Sequence, residues 1–166
     1  DRNVRAIRKN SQELIVTNSN FTKAEVKFEQ TNTNIKSYFA EATQNITILP
    51  GFISKSSDNE ITTLGRGGSD YTAAIVAAAL NVEKLEIWTD VNGMYTTNPK
   101  LVKQAYPIKR ISYQEAMELS HFGAKVLYPP TVQPVLDLKI PIHIKNTMDP
   151  DAEGTIISNE LNGKSS

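Results

Sequence analysis

Apolar positions recur along the chain with two periods, and each period predicts one type of element. Short apolar runs bounded by turn residues predict strands over 14–17, 46–49, 85–89, 142–145 and 155–157, with an exposed strand over 24–28. A three-to-four-residue period over 31–42 predicts an amphipathic helix with Ile35, Phe39 and Ala42 on one face. The alanine-rich run 69–80 predicts a buried helix, and 112–122 and 131–138 predict two more. The polar stretches 54–59 and 91–110 are predicted as loops.

Strands that alternate with helices predict an α/β protein built from βα units around a mostly parallel sheet. Ligands of open α/β sheets bind beyond the carboxyl ends of the strands. Two polar segments occupy such positions: the glycine-rich turn before the alanine-rich helix, and the loop that follows Trp88 and Thr89. These two segments are therefore the candidate sites.

Composition narrows the possible chemistry. The chain has 166 residues, of which 39% are hydrophobic and 22% are charged, as in a globular protein. Its 18 basic and 18 acidic residues balance, which gives no support to a nucleic-acid or membrane partner. Because there is no cysteine, disulfides, thiolate catalysis and cysteine-bound zinc are excluded, and a cytoplasmic location is expected. The two histidines, His121 and His143, lack carboxylates at ligand spacing, so no metal site built from protein side chains is predicted.

The glycine-rich turn carries residue types that bind a small anion. Between Thr63 and the predicted helix it reads Leu-Gly-Arg-Gly-Gly-Ser-Asp. Glycines allow the backbone to approach a ligand, Ser69 or Asp70 can cap the helix start, and Arg66 offers a planar cation for a carboxylate or phosphate. The spacing matches neither a P-loop nor a dinucleotide fingerprint. A structural turn that binds nothing explains the same residues equally well.

The residues after Thr89 fit either a nucleotide or an ordinary loop. Asp90 follows the predicted strand, and Tyr95 and Lys100 come later in the same loop. Polar strand-end groups, a ring and a cation can hold ribose, base and phosphate, whereas an Asx-turn at Asp90 is the simpler interpretation. Lys125 lies between apolar neighbours, and it can neutralise a phosphoryl group in a cleft or extend along the surface.

Four segments in a fixed order then point to one family. They are Thr-Leu-Gly-Arg-Gly-Gly-Ser-Asp-Tyr at 63–71, the Thr-Asp-containing stretch 87–100, Phe-Gly-Ala-Lys-Val-Leu at 122–127, and Pro-Ile-His-Ile-Lys-Asn-Thr at 141–147. Together they resemble the aspartate kinases of the amino acid kinase family, and the resemblance covers residues 14–157. Residues 112–120 and the ending at 145–147 look closest to the bifunctional aspartate kinase–homoserine dehydrogenases. The resemblance implies a three-layer αβα fold with a mostly parallel sheet.

The resemblance implies an activity and a set of acid-binding residues. The activity is phosphorylation of the β-carboxylate of L-aspartate by ATP with Mg²⁺, which gives aspartyl phosphate for the synthesis of lysine, threonine and methionine. By position, Arg66 grips the substrate carboxylate, and the residues around it are Gly67, Gly68 and Ser69. Asp70 matches the aspartate that orients the catalytic lysines. No general base is required, because the attacking carboxylate is already ionised at neutral pH.

The resemblance also assigns the nucleotide side. Thr89 and Asp90 match the strand-end pair that binds nucleotide, and Tyr95 and Lys100 match further ATP contacts. Lys125, with Val126, matches the ATP-side lysine that stabilises the transferring phosphoryl group. Phosphoryl transfer depends on positioning and charge neutralisation more than on covalent help, which suits these residue types.

One departure from the family changes the expected extent of the site. The Lys-Phe-Gly-Gly-Thr motif that begins the family's kinase domain is absent before residue 14, and so are the threonine and glutamate that hold aspartate. We therefore expect residues 1–158 to be the C-terminal, nucleotide-binding part of a kinase domain and residues 159–166 to be a flexible tail or linker. The isolated chain is expected to turn over poorly, and the intact parent is expected to be a homo-oligomer.

Two alternatives remain open from the sequence. The first is a non-catalytic nucleotide-binding or assembly module, which the missing lysine motif favours. The second is a kinase of the same fold that acts on another carboxylate or on a nucleotide, since one arginine selects only weakly among acids.

Overall fold

The computed structural model describes residues 4–97, 101–122 and 126–159. The chain divides into two compact units, Asp1–Leu80 and Asn81–Ser166, and each is described by itself. Among the described residues, four of the six strand pairings are parallel and two are antiparallel. The predicted α/β class, with a mostly parallel sheet flanked by helices, is confirmed.

The first unit contains two small sheets and two helices. Its strands are β1 (Ala6–Arg8), β2 (Val16–Thr17), β3 (Ile46–Ile48), β4 (Ile53–Ser56) and β5 (Ile61–Thr63). Strand β1 pairs with β3 in parallel, and β4 lies between a parallel β2 and an antiparallel β5. The helices are α1 (Phe28–Glu41) and α2 (Gly68–Leu80), which pack against each other. A short 3-10 helix covers Ser11–Glu13.

The core of the first unit forms where the apolar faces of α1 and α2 meet the chain around β2. Ile35 of α1 and Ile75 of α2 are fully buried, together with Leu14, Ile15, Leu64 and Ala79. Phe39 packs against this cluster, so the predicted face of the first helix is confirmed at Ile35 and Phe39. Helix α2 buries alanines on several sides because small side chains let neighbouring elements approach closely.

The polar stretch 54–59 was predicted as a solvent loop, and that prediction is wrong at its start. Ser54 and Ser56 belong to β4 and are buried. The hydroxyl of Thr62 lies 2.9 Å from that of Ser54 and 2.7 Å from that of Thr17. These hydroxyls satisfy one another, so a strand with polar residues can be buried without unpaired groups.

The predicted exposed strand over 24–28 is also wrong. Val26 makes only an isolated antiparallel bridge to Thr17, and α1 begins at Phe28.

The second unit is built on one four-stranded sheet. Its strands are β6 (Leu85–Thr89), β7 (Arg110–Ile111), β8 (Ile142–Asn146) and β9 (Thr155–Ile157), in the order β6-β8-β9-β7. Strands β6 and β8 are parallel, so their carboxyl ends meet where Thr89 lies opposite Asn146. Buried and more exposed residues alternate along both strands, so that Ile87 and Ile144 are buried on one face of the sheet and Trp88 lies on the other face. The predicted bounds of β6 and β9 are confirmed.

Two helices complete the second unit, α3 (Tyr113–Phe122) and α4 (Pro129–Asp137). Ser112 and Glu115 form a capping box at the start of α3: the Glu115 N–H donates to Ser112 Oγ at 3.2 Å, and the Ser112 N–H donates to Glu115 Oε2 at 3.0 Å. The Ser112 hydroxyl also donates to Glu115 Oε2 at 2.7 Å, and this bond together with the one from the Ser112 N–H holds the pKa of Glu115 below its usual range. Helix α4 begins at Pro129, two residues before the predicted start at 131, because proline lacks only an N–H that the first turn of a helix does not use.

Candidate functional site

The glycine-rich turn connects β5 to α2 in the first unit. Gly65 and Gly67 have φ values of +74° and +70°, a region that side-chain-bearing L-residues rarely adopt. The N–H of Gly68 donates to the carbonyl of Gly65 at 3.0 Å, which closes the turn directly before the helix. Helix α2 begins at Gly68, so Ser69 and Asp70 lie in its first turn and the predicted capping role for them is wrong.

The turn forms one wall of an open cleft of about 470 Å³. The lining combines residues of the glycine-rich turn and the start of α2 with one residue from the connection between β3 and β4; the set is Phe52, Gly65, Arg66, Gly67, Gly68, Ser69 and Asp70. Arg66 and Ser69 are exposed to solvent. The cleft lies at the N-terminal end of α2, where the helix dipole favours negative charge. Arg66 and this helix end therefore make the cleft suitable for a small anion.

Asp70 is the acidic group in the cleft lining. It is half-buried, and this burial raises the pKa of its carboxyl above the usual range. An ionised Asp70 repels an anion in the same cleft, so the attraction of Arg66 and the helix end must outweigh this repulsion. A cation next to Asp70 would offset the free-energy cost of burying its carboxylate. This property is compatible with a residue that positions a lysine.

Phe52 is the cleft residue that sequence reasoning missed. It follows Pro50 and Gly51, and its backbone has φ +75°. Its N–H donates to Thr72 Oγ1 of α2 at 3.1 Å, and its carbonyl accepts the Leu64 N–H at 3.0 Å. The only local signal for this role is an aromatic residue directly after a Pro-Gly pair at the end of a strand.

The second candidate site lies at the end of β6, in the second unit. The hydroxyl of Thr89 donates to Asp90 Oδ1 at 3.2 Å, and the carbonyl of Thr89 accepts the Thr147 N–H at 2.8 Å. Asp90 is exposed. Thr89 and Asp90 thus lie at the edge where the carboxyl ends of β6 and β8 meet.

Two residues outside the predicted set hold the loop that carries Tyr95. Asn146 of β8 donates through Nδ2 to Asn92 Oδ1, and Thr155 Oγ1 of β9 accepts the Met94 N–H at 2.8 Å. Tyr95 itself is half-buried and forms an isolated bridge with Pro107. The position of Tyr95 therefore depends on β8 and β9, which lie far away in sequence.

The two lysines predicted on the nucleotide side, Lys100 and Lys125, lie outside the described residues. Val126 is described and half-buried in a turn. The glycine-rich cleft belongs to the first unit, and Thr89, Asp90, Tyr95 and Val126 belong to the second. The roles that the resemblance assigns to Lys100 and Lys125 therefore stay predictions.

Within the described ranges, no group of three histidine, aspartate or glutamate side chains converges as a metal-binding cluster. In the same ranges, no helix combines the length and apolar character needed to cross a bilayer. His143 lies on β8 and its Nε2 is 2.7 Å from the carbonyl oxygen of Glu153, which gives it a structural contact.

Comparison with known proteins identifies the family of this chain and of its fold. Residues 2–146 match the amino acid kinase family, and the chain belongs to this family. The predicted resemblance to aspartate kinases is likewise confirmed by its relatives. A bifunctional aspartokinase/homoserine dehydrogenase of Buchnera aphidicola is 44% identical over 144 residues, which are 87% of this chain and 18% of that protein.

Other aspartokinases match with similar identity. Lysine-sensitive aspartokinase 3 of Escherichia coli is 46% identical over 117 residues, which are 70% of this chain and 26% of that protein. A crystal structure of E. coli aspartokinase III in complex with aspartate and ADP superposes on this chain with a TM-score of 0.88 at 38% identity. The superposition covers 98% of this chain and 36% of the aspartokinase III chain. The chain thus spans about a fifth to a third of the length of the proteins that it matches.

Proposed function

We propose that this chain forms part of a kinase that transfers the terminal phosphoryl group of ATP to the β-carboxylate of L-aspartate. The single observation that carries the proposal is the cleft at the start of α2, in which Arg66 and a helix N-terminus share one lining, in a chain 44% identical to an aspartokinase. A structure similar to this chain holds aspartate and ADP, which supports the same pair of ligands here.

Arg66 binds the acid in this proposal, and the helix end assists it. The planar guanidinium donates two parallel hydrogen bonds to a carboxylate, which fixes the orientation of the acid as well as its position. Gly67, Gly68 and Ser69 let the backbone come close to the bound group, and Asp70 orients a lysine near the reacting atoms. Correct orientation is the main contribution that a protein makes to phosphoryl transfer.

In this proposal the nucleotide is bound by residues of the second unit at and beyond the carboxyl end of β6. Thr89 and Asp90 offer a hydroxyl and a carboxylate at the sheet edge, Tyr95 offers a ring, and Lys100 and Lys125 with Val126 complete the proposed contacts. ATP carries Mg²⁺ on its phosphates, and Mg²⁺ in such sites needs only one or two carboxylates besides the phosphates. A single exposed carboxylate at Asp90 is compatible with that requirement.

Three further expectations stay proposals. They are the assignment of residues 1–158 to the nucleotide-binding part of a kinase domain with a tail over 159–166, a homo-oligomeric parent, and a cytoplasmic location.

The test is phosphoryl transfer by the complete polypeptide that carries these residues, assayed with aspartate, glutamate and N-acylated acids. Aspartate should be the preferred acceptor, and preference for another acid would contradict the assignment. Binding of ATP without transfer to any acid would instead favour the non-catalytic module.

A charge-conserving substitution tests the role of Arg66. Arg66→Lys should raise the KM for aspartate and lower kcat/KM by about tenfold or more, because a hydrogen bond to a charged group contributes ~1.5–3 kcal/mol. The KM for ATP should change little. The matched control is Arg8→Lys, since Arg8 is an exposed arginine of β1 in the same unit but outside the cleft lining.

A further inference from the structure

The backbone of Phe52 is held in a conformation that an aromatic residue does not favour. Its φ of +75° lies in the left-handed region, where glycine is the usual residue. Two hydrogen bonds hold it there, from its own N–H to Thr72 Oγ1 at 3.1 Å and from the Leu64 N–H to its carbonyl at 3.0 Å. Strained residues of this kind concentrate at ligand sites.

Burial of the ring does not explain why an aromatic residue stands at this position. Phe52 is 41% exposed, in contrast to the fully buried Ile35 and Ile75 of the nearby core. The ring instead lies against the glycine-rich turn: its Cδ2 is 2.7 Å from the point that a Cβ on Gly68 would occupy. Phe52 therefore presents a partly open aromatic surface to the cleft.

The apolar part of the cleft lining is the ring of Phe52. Among the lining residues that the structure describes, Phe52 is the only one with an apolar side chain, since the others are glycines, Arg66, Ser69 and Asp70. Arg66 and the helix end attract any carboxylate and are indifferent to the length of the carbon chain behind it. Selection by length must therefore come from a surface that the carbon chain touches.

We propose that Phe52 is a specificity-determining residue whose ring is the wall against which the carbon skeleton of the acid packs, so that it selects a short dicarboxylic amino acid over one longer by a methylene. The inference rests on the proposed function and deepens it. The strained backbone keeps the ring over Gly68 rather than in the core, which sets the depth of the cleft.

The test compares the variants Phe52→Leu, Phe52→Ala and Phe52→Gly in the complete polypeptide. The readout is the ratio of kcat/KM for aspartate to kcat/KM for glutamate. Where glutamate turnover is below detection, the ratio of the inhibition constant of glutamate to the dissociation constant of aspartate serves as a separate, binding-only readout. Because one methylene in an apolar pocket is worth roughly 10–200-fold, the ratio should fall about tenfold in Phe52→Ala and less in Phe52→Leu. The control Phe21→Leu removes a half-exposed ring of the same unit and should leave the ratio unchanged.

A second readout is independent of activity. Glycine relieves the backbone strain while alanine keeps it, so Phe52→Gly should unfold at a higher denaturant concentration than Phe52→Ala. Equal midpoints would overturn the claim that the ring is held in place against strain. An unchanged aspartate-to-glutamate ratio in an active variant would overturn this inference alone. A wild-type polypeptide that phosphorylates neither acid would overturn both the inference and the proposed function.

Discussion

The Met94 backbone N–H donates to the hydroxyl of Thr155 at 2.8 Å, across 61 residues of sequence. Both residues are fully buried, and the same hydroxyl donates to the Ile108 carbonyl. One threonine of β9 thus joins two parts of the long loop after β6, on either side of Tyr95. This side chain adds to the backbone pairing across the loop, in which the Ile108 N–H donates to the Met94 carbonyl at 2.8 Å and the Thr96 N–H donates to the Tyr106 carbonyl at 3.1 Å.

Replacement of Thr155 by valine, which has nearly the same shape, should destabilise the protein by about 1–3 kcal/mol. The Met94 N–H then stays buried without an acceptor, and the Ile108 carbonyl loses its donor. Urea denaturation measures the change. Thr147→Val is the matched control, because Thr147 is exposed and contributes only its backbone N–H to the Thr89 carbonyl. A loss no larger than that of the control would show that the hydroxyl does not hold the loop.

A double-mutant cycle should show that Gly68 and Phe52 are coupled. Alanine at a helical glycine normally gains ~1 kcal/mol, but a Cβ on Gly68 would lie 2.7 Å from the Phe52 ring. Gly68→Ala should therefore destabilise the wild type and cost clearly less in a Phe52→Ala background, with a coupling energy of at least ~0.5 kcal/mol. Additive effects would mean that the ring moves away freely.

The stability difference between the wild type and Asp70→Asn should depend on pH. Burial raises the pKa of Asp70 in the folded state above its unfolded value near 3.8. The folded state therefore binds the proton more tightly, and the wild type loses stability as the pH rises from the unfolded pKa through the folded one. Asp70→Asn, which carries no charge, should become the more stable protein across this window and keep that advantage at neutral pH.

The test is to measure the denaturation midpoints of both proteins between about pH 3 and pH 7, in steps of about one pH unit, and to compare the direction in which their difference changes. Asp151→Asn serves as the control, since Asp151 is exposed in the second unit. A difference that does not vary with pH would contradict the prediction. Asp70→Asn should also reduce phosphoryl transfer if the carboxylate positions a lysine, so stability and activity should change in opposite directions.

Loss of the hydroxyl in Ser112→Ala should destabilise the start of α3 by about 1 kcal/mol, a usual value for an N-terminal cap. Amide hydrogen exchange over Tyr113–Phe122 should quicken most in the first turn. Ser112→Thr keeps a hydroxyl and should restore most of the protection. Because the pKa of Glu115 is lowered by its bonds to Ser112, the contribution of this pair should be lost as the pH falls through that lowered pKa.

Local sequence signals were sufficient where an element depends on its own residues. The alternation over Leu85–Thr89 and the Ser112–Glu115 pair specify β6 and the start of α3, because burial of one face and a capping hydrogen bond are both short-range properties. The composition of the glycine-rich turn similarly pointed to the cleft that Arg66 lines.

Features that depend on distant contacts could not be predicted in this way. Ser54 is buried because Thr62 satisfies its hydroxyl across a hairpin, and a pattern of polar residues alone predicts exposure. The φ of Phe52 is maintained by Thr72, twenty positions later, as the hydrogen bond between them shows. The anchoring of Met94 by Thr155 has no local signal at either residue.

Strand β9 has a consequence for biosynthesis, because it is the last of the described strands in sequence yet lies between β8 and β7 in the sheet. A nascent chain leaves the ribosome from its N-terminus, so β7 emerges well before the only neighbour it has in the described sheet. A ribosome-tethered chain that stops short of residue 155 would hold the parallel β6–β8 pair and an unattached β7. The loop that carries Tyr95 would then acquire its final shape late in the translation of this region, when Thr155 leaves the exit tunnel.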